Sequence, residues 1–339
     1  MTALAAQTLV GDIGATNARF GLLDAAGNVD RIRVEPCGDH VGLAEAIEAY
    51  LEAVRRDSPE LPAALRPRVA ALAVAAAVAG DHVAFINHHW FFSQSALKSR
   101  LGLDRLLMVN DFGALAAGVP HLKSHDVHWI GGGPARDHYV PKAMIGVLGP
   151  GTGLGVGGVF PVERQWIALT GEGGHVSLPA GTEREGRVLE VMRRRFGHAS
   201  AERALSGRGL VNLYEILAEI DGVPTKPYAP ADVTEMAVSG GDAHCREALE
   251  MFAGMLGTEA GDLALTLGAK GGIYIGGGIV PRLGKDFPAQ RFRRRFEEKG
   301  RLYPYISDIP TFVILHRFPA FVGLAALLRG ESIIPVALE

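Results

Sequence analysis

Cysteine is scarce. Cys37 and Cys245 are the two in 339 residues, too few and too far apart for a disulfide framework or a thiolate zinc site, and a reducing cytoplasm is expected. Long hydrophobic runs are lacking too. The longest, Val69 to Ala79, falls well short of the roughly 20 residues that cross a bilayer and reads as a buried strand. The opening MTALAAQTLVGD has neither the basic region nor the long apolar core of a signal peptide. Neither sign of charge is in excess: 34 Lys+Arg against 37 Asp+Glu give a net charge of -3, which offers no electrostatic case for nucleic acid or an anionic membrane. The basic clusters Arg193-Arg194-Arg195 and Arg293-Arg294-Arg295 lie in charge-mixed, helix-like stretches and read as solvated helix faces. A G-x-x-x-x-G-K-[ST] phosphate loop is absent.

What is present is apolar, alternating and rich in glycine. The chain is 48% hydrophobic and longer than a single core usually grows, so two packed domains with a cleft between them are expected. Thr8 to Asp12 reads as a strand, Gly-Ala-Thr-Asn as a tight turn, Ala18 to Asp24 as a second strand, and a third follows Ala26-Gly27-Asn28. Then come an amphipathic helix from about Val41 to Arg56, a strand from Val69, a helix opened by Ser93, a strand over Leu106 to Val109 and a helix after Asp111. The grammar restarts near Ala143: MIGVLGPGTGLGVGGVF runs strand, Gly/Thr turn, strand, as TLVGDIGATNARFGLLD does, which suggests an internal duplication of fold. Helices over Thr182 to Phe196, Ala201 to Ile220 and Ala243 to Leu267, strands over Gly272 to Ile275 and Thr311 to Leu315, and a last helix over Phe321 to Leu328 complete a mixed α/β reading.

Chemistry enters at the turns. GDIGATNAR joins Asp12 to a Gly-Ala-Thr turn, and GPGTGLG at 149–155 is an uncharged counterpart. Such turns aim backbone N–H groups into a concavity where a phosphate can approach, because glycine has no Cβ. Hairpins need glycine anyway, so neither turn decides alone. Gly153-Leu-Gly155-Val-Gly-Gly158 matches the dinucleotide fingerprint G-x-G-x-x-G, with Glu172 near the spacing of a ribose-binding acid. That fingerprint must open a helix, whereas Val-Phe-Pro and a β-like Gln-Trp-Ile-Ala-Leu follow, so the sequence argues against a nicotinamide site. Asn110 and Asp111 stand where a strand gives way to a small-residue helix; taken alone they read as helix caps. His121, His125 and His128 have spacings of a metal site, but no glutamate completes one, and a surface loop is expected.

LVGDIGATNAR, NHHWFFS, VNDFGALAAG, GPGTGLGV, GEGGHVSL, HASAERALSGRGL and GGIYIGGGIVPR, in this order and over nearly the whole chain, resemble the bacterial glucokinase family of the hexokinase/actin-like ATPase superfamily. The cysteine cluster of the related repressor/kinase (ROK) sugar kinases is missing, which points to the zinc-free group. The resemblance implies a two-domain hexokinase/actin-like (ribonuclease H-like) α/β fold: residues 1–121 with 318–339 as the smaller domain, 122–317 as the larger, and a cleft between them. It implies transfer of the γ-phosphoryl of ATP to the 6-hydroxyl of glucose, giving glucose 6-phosphate and ADP with Mg²⁺ neutralising the phosphates. A cytoplasmic homodimer is the state it suggests.

The same resemblance assigns roles. Asp12 would hold Mg²⁺, directly or through water; Gly11, Gly14, Ala15, Thr16 and Asn17 would wrap the phosphates from one side and Gly151, Thr152 and Gly153 from the other. Gly276, Gly277 and Gly278 would let the adenosine lie against backbone. Asp111 would be the general base with Asn110 holding the sugar beside it, while Glu172, His175 and Glu202 would contact ring hydroxyls, a carboxylate's two oxygens suiting a vicinal diol. Without the family pattern, Glu202 reads as a helix-dipole residue and His175 as an ordinary hydrogen-bonded histidine. One departure stands out: the family turn runs Asp-x-Gly-Gly-Thr, and Ala15 replaces its second glycine, which requires ordinary backbone angles there or mild strain. Two other readings stay open, a kinase for mannose or an N-acetylhexosamine and an actin- or chaperone-like ATP switch. The latter would have no use for Asp111 with its polar shell.

Overall fold

The computed structural model describes residues 8–14, 16–24, 26–58, 66–76, 78, 80–85, 90–132 and 142–335. The chain divides into two compact units: Met1–His121, Glu163–Ala168 and Phe318–Glu339 form unit 1, and Leu122–Val162 with Leu169–Arg317 form unit 2. Unit 1 runs β1 (Thr8–Ile13), β2 (Asn17–Leu23), β3 (Val29–Pro36), α1 (Leu43–Asp57), β4 (Val69–Val74), β5 (His82–Ala84), β6 (Phe91–Ser93), α2 (Gln94–Leu101), β7 (Arg105–Asn110) and α3 (Asp111–Gly118). Unit 2 contributes β8 (Val127–Gly131), β9 (Ile145–Pro150), β10 (Leu154–Val162), α4 (Glu183–Phe196), α5 (Ala201–Ala204), α6 (Gly207–Ile220), α7 (Pro230–Ser239), α8 (Ala243–Leu267), β12 (Ile273–Ile275), α9 (Val280–Leu283), α10 (Ala289–Glu297), α11 (Tyr303–Ile306) and β13 (Thr311–Ile314). The strand β11 (Gln165–Gly171) has residues in both units, and α12 (Pro319–Arg329) and β14 (Ser332–Ile333) belong to unit 1.

Unit 1 is built on a sheet of order β3-β2-β1-β4-β7. The hairpin β1–β2 is antiparallel, whereas β4 and β7 run parallel to β1. Successive side chains of a strand point to opposite faces, and β1 uses both. Leu9 and Ile13 pack with Leu43, Ile47, Tyr50 and Val54 of α1, while Val10 packs on the other face with Ala114 of α3 and Phe321 and Leu324 of α12. Each fully buried side chain of this size contributes about 1.5–3 kcal/mol. Asp12 shares the face of Val10 by the same alternation, which puts its carboxylate on the side where α3 begins.

Unit 2 repeats the plan. Strands β11-β10-β9-β12-β13 follow the same order as β3-β2-β1-β4-β7, with β8 added as an antiparallel edge; β9–β10 is the antiparallel hairpin and β12 and β13 continue parallel to β9. The duplication read from the two glycine turns is therefore visible in topology. Its core gathers residues of α4, α6, α8 and α10 against β9 and β12.

Several expectations need correcting. The run from Ala201 to Ile220 is two helices, because the chain bends at Leu205–Ser206 and the Ser206 hydroxyl accepts from Gly209 N at 3.0 Å to cap α6 afresh. The segment holding the three histidines is two short 3-10 turns and β8, not a loop, and His121 is half-buried with its ring 3.0 Å from Ser332 Oγ. Arg193, Arg194 and Arg195 do lie on an exposed face, but Arg293 and Arg295 are buried. Arg293 donates to the Ile309 and Ser307 carbonyls, and Arg295 pairs with Glu185 at 2.7 Å, so tertiary ion pairing overrides the solvated-face reading.

Candidate active site

In unit 1 the parallel strands end on one edge: Asp12 lies across from Ala73, and Val74 across from Asn110. The carboxyl ends of parallel strands are where open α/β sheets bind ligands. Asn110 is the N-cap of α3, its Oδ1 accepting from Phe112 N at 3.0 Å and Gly113 N at 3.2 Å and its Nδ2 donating to Ala76 O at 3.3 Å. One amide hydrogen remains for a ligand. Asp111 is the first residue of the helix, and its Oδ1 accepts from Phe112 N at 2.8 Å. Capping thus falls to Asn110, which leaves the Asp111 carboxylate largely uncommitted. Burial, and after it the negative charge of Asp12, push the Asp111 carboxyl up to about 6.

Asp12 is raised above the usual carboxylate range by burial, partly offset by the Arg19 guanidinium, which donates to Asp12 Oδ2 at 3.1 Å. Sequence reasoning missed Arg19, although the hairpin register that places residue 19 opposite residue 12 was within its reach. It also missed Cys37. The Cys37 backbone N–H donates to Thr16 O at 2.9 Å and its thiol to Gly14 O at 3.5 Å, while Gly14 N donates to Asn17 O at 3.0 Å. The first glycine turn is therefore held from within and from β3's end. Ala15, and Asn87, His88 and His89 of NHHWFFS, lie outside the described residues.

Unit 2 builds with backbone. Gly151 N donates to Gly153 O at 2.8 Å and Gly151 O accepts from Gly207 N at 2.8 Å, which anchors the turn between β9 and β10 to the start of α6. The three glycines after β12 pack on this turn: Gly276 N donates to Leu148 O at 2.7 Å, Ile279 N to Pro150 O at 3.3 Å, and Gly277 adopts φ +75°. Among the described residues, the amides of Thr152, Gly153, Gly277 and Gly278 have no partner, an arrangement of free N–H donors suited to phosphate oxygens. Glu172 bridges to Val156 in parallel register just before the short 3-10 turn at Gly173–His175, and His175 Nε2 stands 3.8 Å from Glu172 Oε2 on the exposed side of that loop. Ala201 N donates to Val176 O at 2.9 Å, joining α5 to the same loop. Glu202 of α5 is half-buried, and its Oε2 accepts from Leu154 N at 2.9 Å, directly after the turn. The structure thus gathers Gly151–Gly153, Gly276–Gly278, Glu172, His175 and Glu202 in unit 2, and Asp12, Gly14, Thr16, Asn17, Asn110 and Asp111 in unit 1.

The protein-family model for glucokinase matches residues 9–331. The chain belongs to the glucokinase family. A glucokinase of Nitrobacter hamburgensis is 47% identical over 327 residues, covering 96% of this chain and 98% of that protein. A glucokinase of Aromatoleum aromaticum is 46% identical, covering 94% of each. Among solved structures, the glucokinase of an Antarctic psychrotroph superposes with a TM-score of 0.81 at 34% identity, over 96% of this chain and 99% of that one. The glucokinase-family fold accounts for the two matching strand orders and for the β-turn-β openings that carry both glycine turns.

Proposed function

We propose that this chain phosphorylates glucose on its 6-hydroxyl, with ATP as donor and Asp111 as the general base. The observation that carries the reading is the Asp111 carboxyl itself, released from capping by Asn110 and raised to about 6. A carboxylate with that proton affinity is mostly ionised at neutral pH yet is a better base than an ordinary aspartate. A sugar hydroxyl is a poor nucleophile, so a base that takes its proton as the new P–O bond forms has the most to add, the remainder of phosphoryl transfer being positioning and charge stabilisation. Asn110 would offer its remaining N–H to the sugar, and Glu172, His175 and Glu202 would receive ring hydroxyls. The free amides of Thr152, Gly153, Gly277 and Gly278 would take phosphate oxygens.

Mg²⁺ fits the residues present. Asp12 and Asp111 are two carboxylates of raised proton affinity, the charge of Asp12 acts on Asp111, and the Arg19 guanidinium pairs with Asp12; a hard cation that keeps several waters needs one or two such ligands. Asp12 would hold it, and bound there it would neutralise charge on the phosphates. No described helix is long and apolar enough to cross a membrane; the cytoplasmic setting and the homodimer rest on the family resemblance.

The test is a coupled assay of ADP release across glucose, mannose and N-acetylglucosamine with several nucleoside triphosphates. Glucose with ATP should give the highest kcat/KM, and Glu172→Gln and Glu202→Gln should each raise KM for glucose. ADP release that is independent of any sugar would overturn the reading.

A further inference from the structure

Glu202 touches two proposed subsites at once. Its Oε2 accepts from Leu154 N at 2.9 Å, and a Cβ on Gly153 would lie 2.4 Å from that same oxygen. Glycine at 153 is thus what lets the carboxylate close on the phosphate turn. The grip is doubled by the elbow after α5: the Ser206 hydroxyl donates to Glu202 O at 2.8 Å and accepts from Gly209 N at 3.0 Å, and Gly207 N donates to Gly151 O at 2.8 Å. Residues 202–207 therefore hold both ends of the turn that spans 151–154. The second carboxylate oxygen, Oε1, has no hydrogen bond among the described residues.

We infer that Glu202 is a positioning residue that links the two substrates: Oε1 receives a sugar hydroxyl while Oε2 fixes the Leu154 amide, so an occupied sugar subsite holds the phosphate turn in its binding form. This rests on the proposed glucose subsite. The physical ground is rotational freedom. A carboxylate anchored at one oxygen can still swing, and a second charge-assisted hydrogen bond at the other oxygen removes that freedom. The turn is then ordered before ATP arrives, and because coupling between sites is reciprocal, ATP must tighten glucose by the same factor.

The experiment is calorimetric titration of a non-hydrolysable ATP analogue with Mg²⁺, with and without saturating glucose, paired with titration of glucose alone. In the wild type, glucose should tighten the analogue by about 5-fold or more. Gly153→Ala displaces the carboxylate from the Leu154 amide, so glucose should still bind while the coupling factor falls towards 1. Glu202→Gln should weaken glucose and lower the factor as well. His175→Ala alters the sugar shell without a hydrogen bond to the turn, so it should weaken glucose and leave the factor intact. If glucose affinity is unchanged in both His175→Ala and Glu202→Gln, the sugar-subsite reading fails. If glucose weakens in those variants yet the factor is 1 in the wild type, or is unchanged in Gly153→Ala and Glu202→Gln, the linkage fails while the subsite stands.

Discussion

The two units share a strand order but equip it differently. Unit 1 puts charge at the strand ends, where Asp12, Arg19 and Asp111 are half-buried, Arg19 pairs with Asp12, and the charge of Asp12 helps to raise the Asp111 carboxyl. In unit 2 the corresponding edge carries glycines and unpaired amides, and the buried charges Arg293, Arg295 and Glu185 sit in the helical layer in ion pairs. Backbone donors bind an anion without bringing a titrating group to it, whereas proton transfer needs a side chain whose affinity for protons is tuned. On the proposed reading, one fold repeated twice would separate gripping from chemistry.

The sharpest way to break that division is at Asp111. Asp111→Ala should lower kcat by roughly 10²–10⁴ with little change in glucose affinity; steady-state kinetics with near-native turnover would move the chemistry elsewhere. The base must be ionised, so wild-type kcat/KM should fall about tenfold per pH unit below pH about 6. Stability should answer in the opposite sense. The folded state binds the Asp111 proton more tightly than the unfolded chain does, so this residue's contribution to stability declines as pH rises from the ordinary aspartate range through about 6. Asp111→Asn should therefore be inactive yet melt higher than wild type at pH 8, with the gap closing near pH 4, as differential scanning calorimetry would read.

The next largest effect tests whether buried charge in unit 2 is structural. Arg295 donates to Glu185 at 2.7 and 3.2 Å and to Thr258 Oγ1 at 2.8 Å, and the Glu185 side chain is 1% exposed. Arg295→Met would leave that carboxylate buried without its main partner, which costs about 3–5 kcal/mol. Urea denaturation should show the loss, and Arg295→Met with Glu185→Met together should recover much of it. Turnover per folded molecule should stay within about twofold in both, since a buried ion pair between helices has no part in phosphoryl transfer.

These particulars show how far sequence reaches. Hairpins and their turns were legible because strand alternation and glycine placement are local, and so was a helix over Thr182 to Phe196. That Thr182 caps this helix, its hydroxyl accepting from Glu185 N at 3.2 Å, came from the structure. The break before α6 was not, because apolar spacing continues through Leu205 and only the hydroxyl of Ser206 betrays a new start. Arg295 looked solvated because its partner stands 110 residues away in the chain, a distance at which local patterning carries no information. The pair Asn110–Asp111 lay between these cases: sequence located both, but which one caps and which stays free depends on backbone angles that place Asn110 in extended conformation and Asp111 in the helix.

The smallest effect separates two adjacent glycines. Gly277 sits at φ +75°, and a Cβ there would lie 2.3 Å from Pro150 O, a backbone atom that cannot move without shifting the β9 turn. A neighbouring Cβ on Gly278 would meet Arg282 Nη2 at 3.1 Å, the far end of a flexible side chain, at an ordinary φ. Gly277→Ala should therefore cost about 1–3 kcal/mol in stability and raise KM for ATP several-fold with glucose KM nearly unchanged, whereas Gly278→Ala should be close to wild type in both. If the two variants behave alike in ATP titrations, the cradle does not depend on the left-handed backbone at 277. The grip of unit 2 would then reside in the Gly151–Gly153 turn alone.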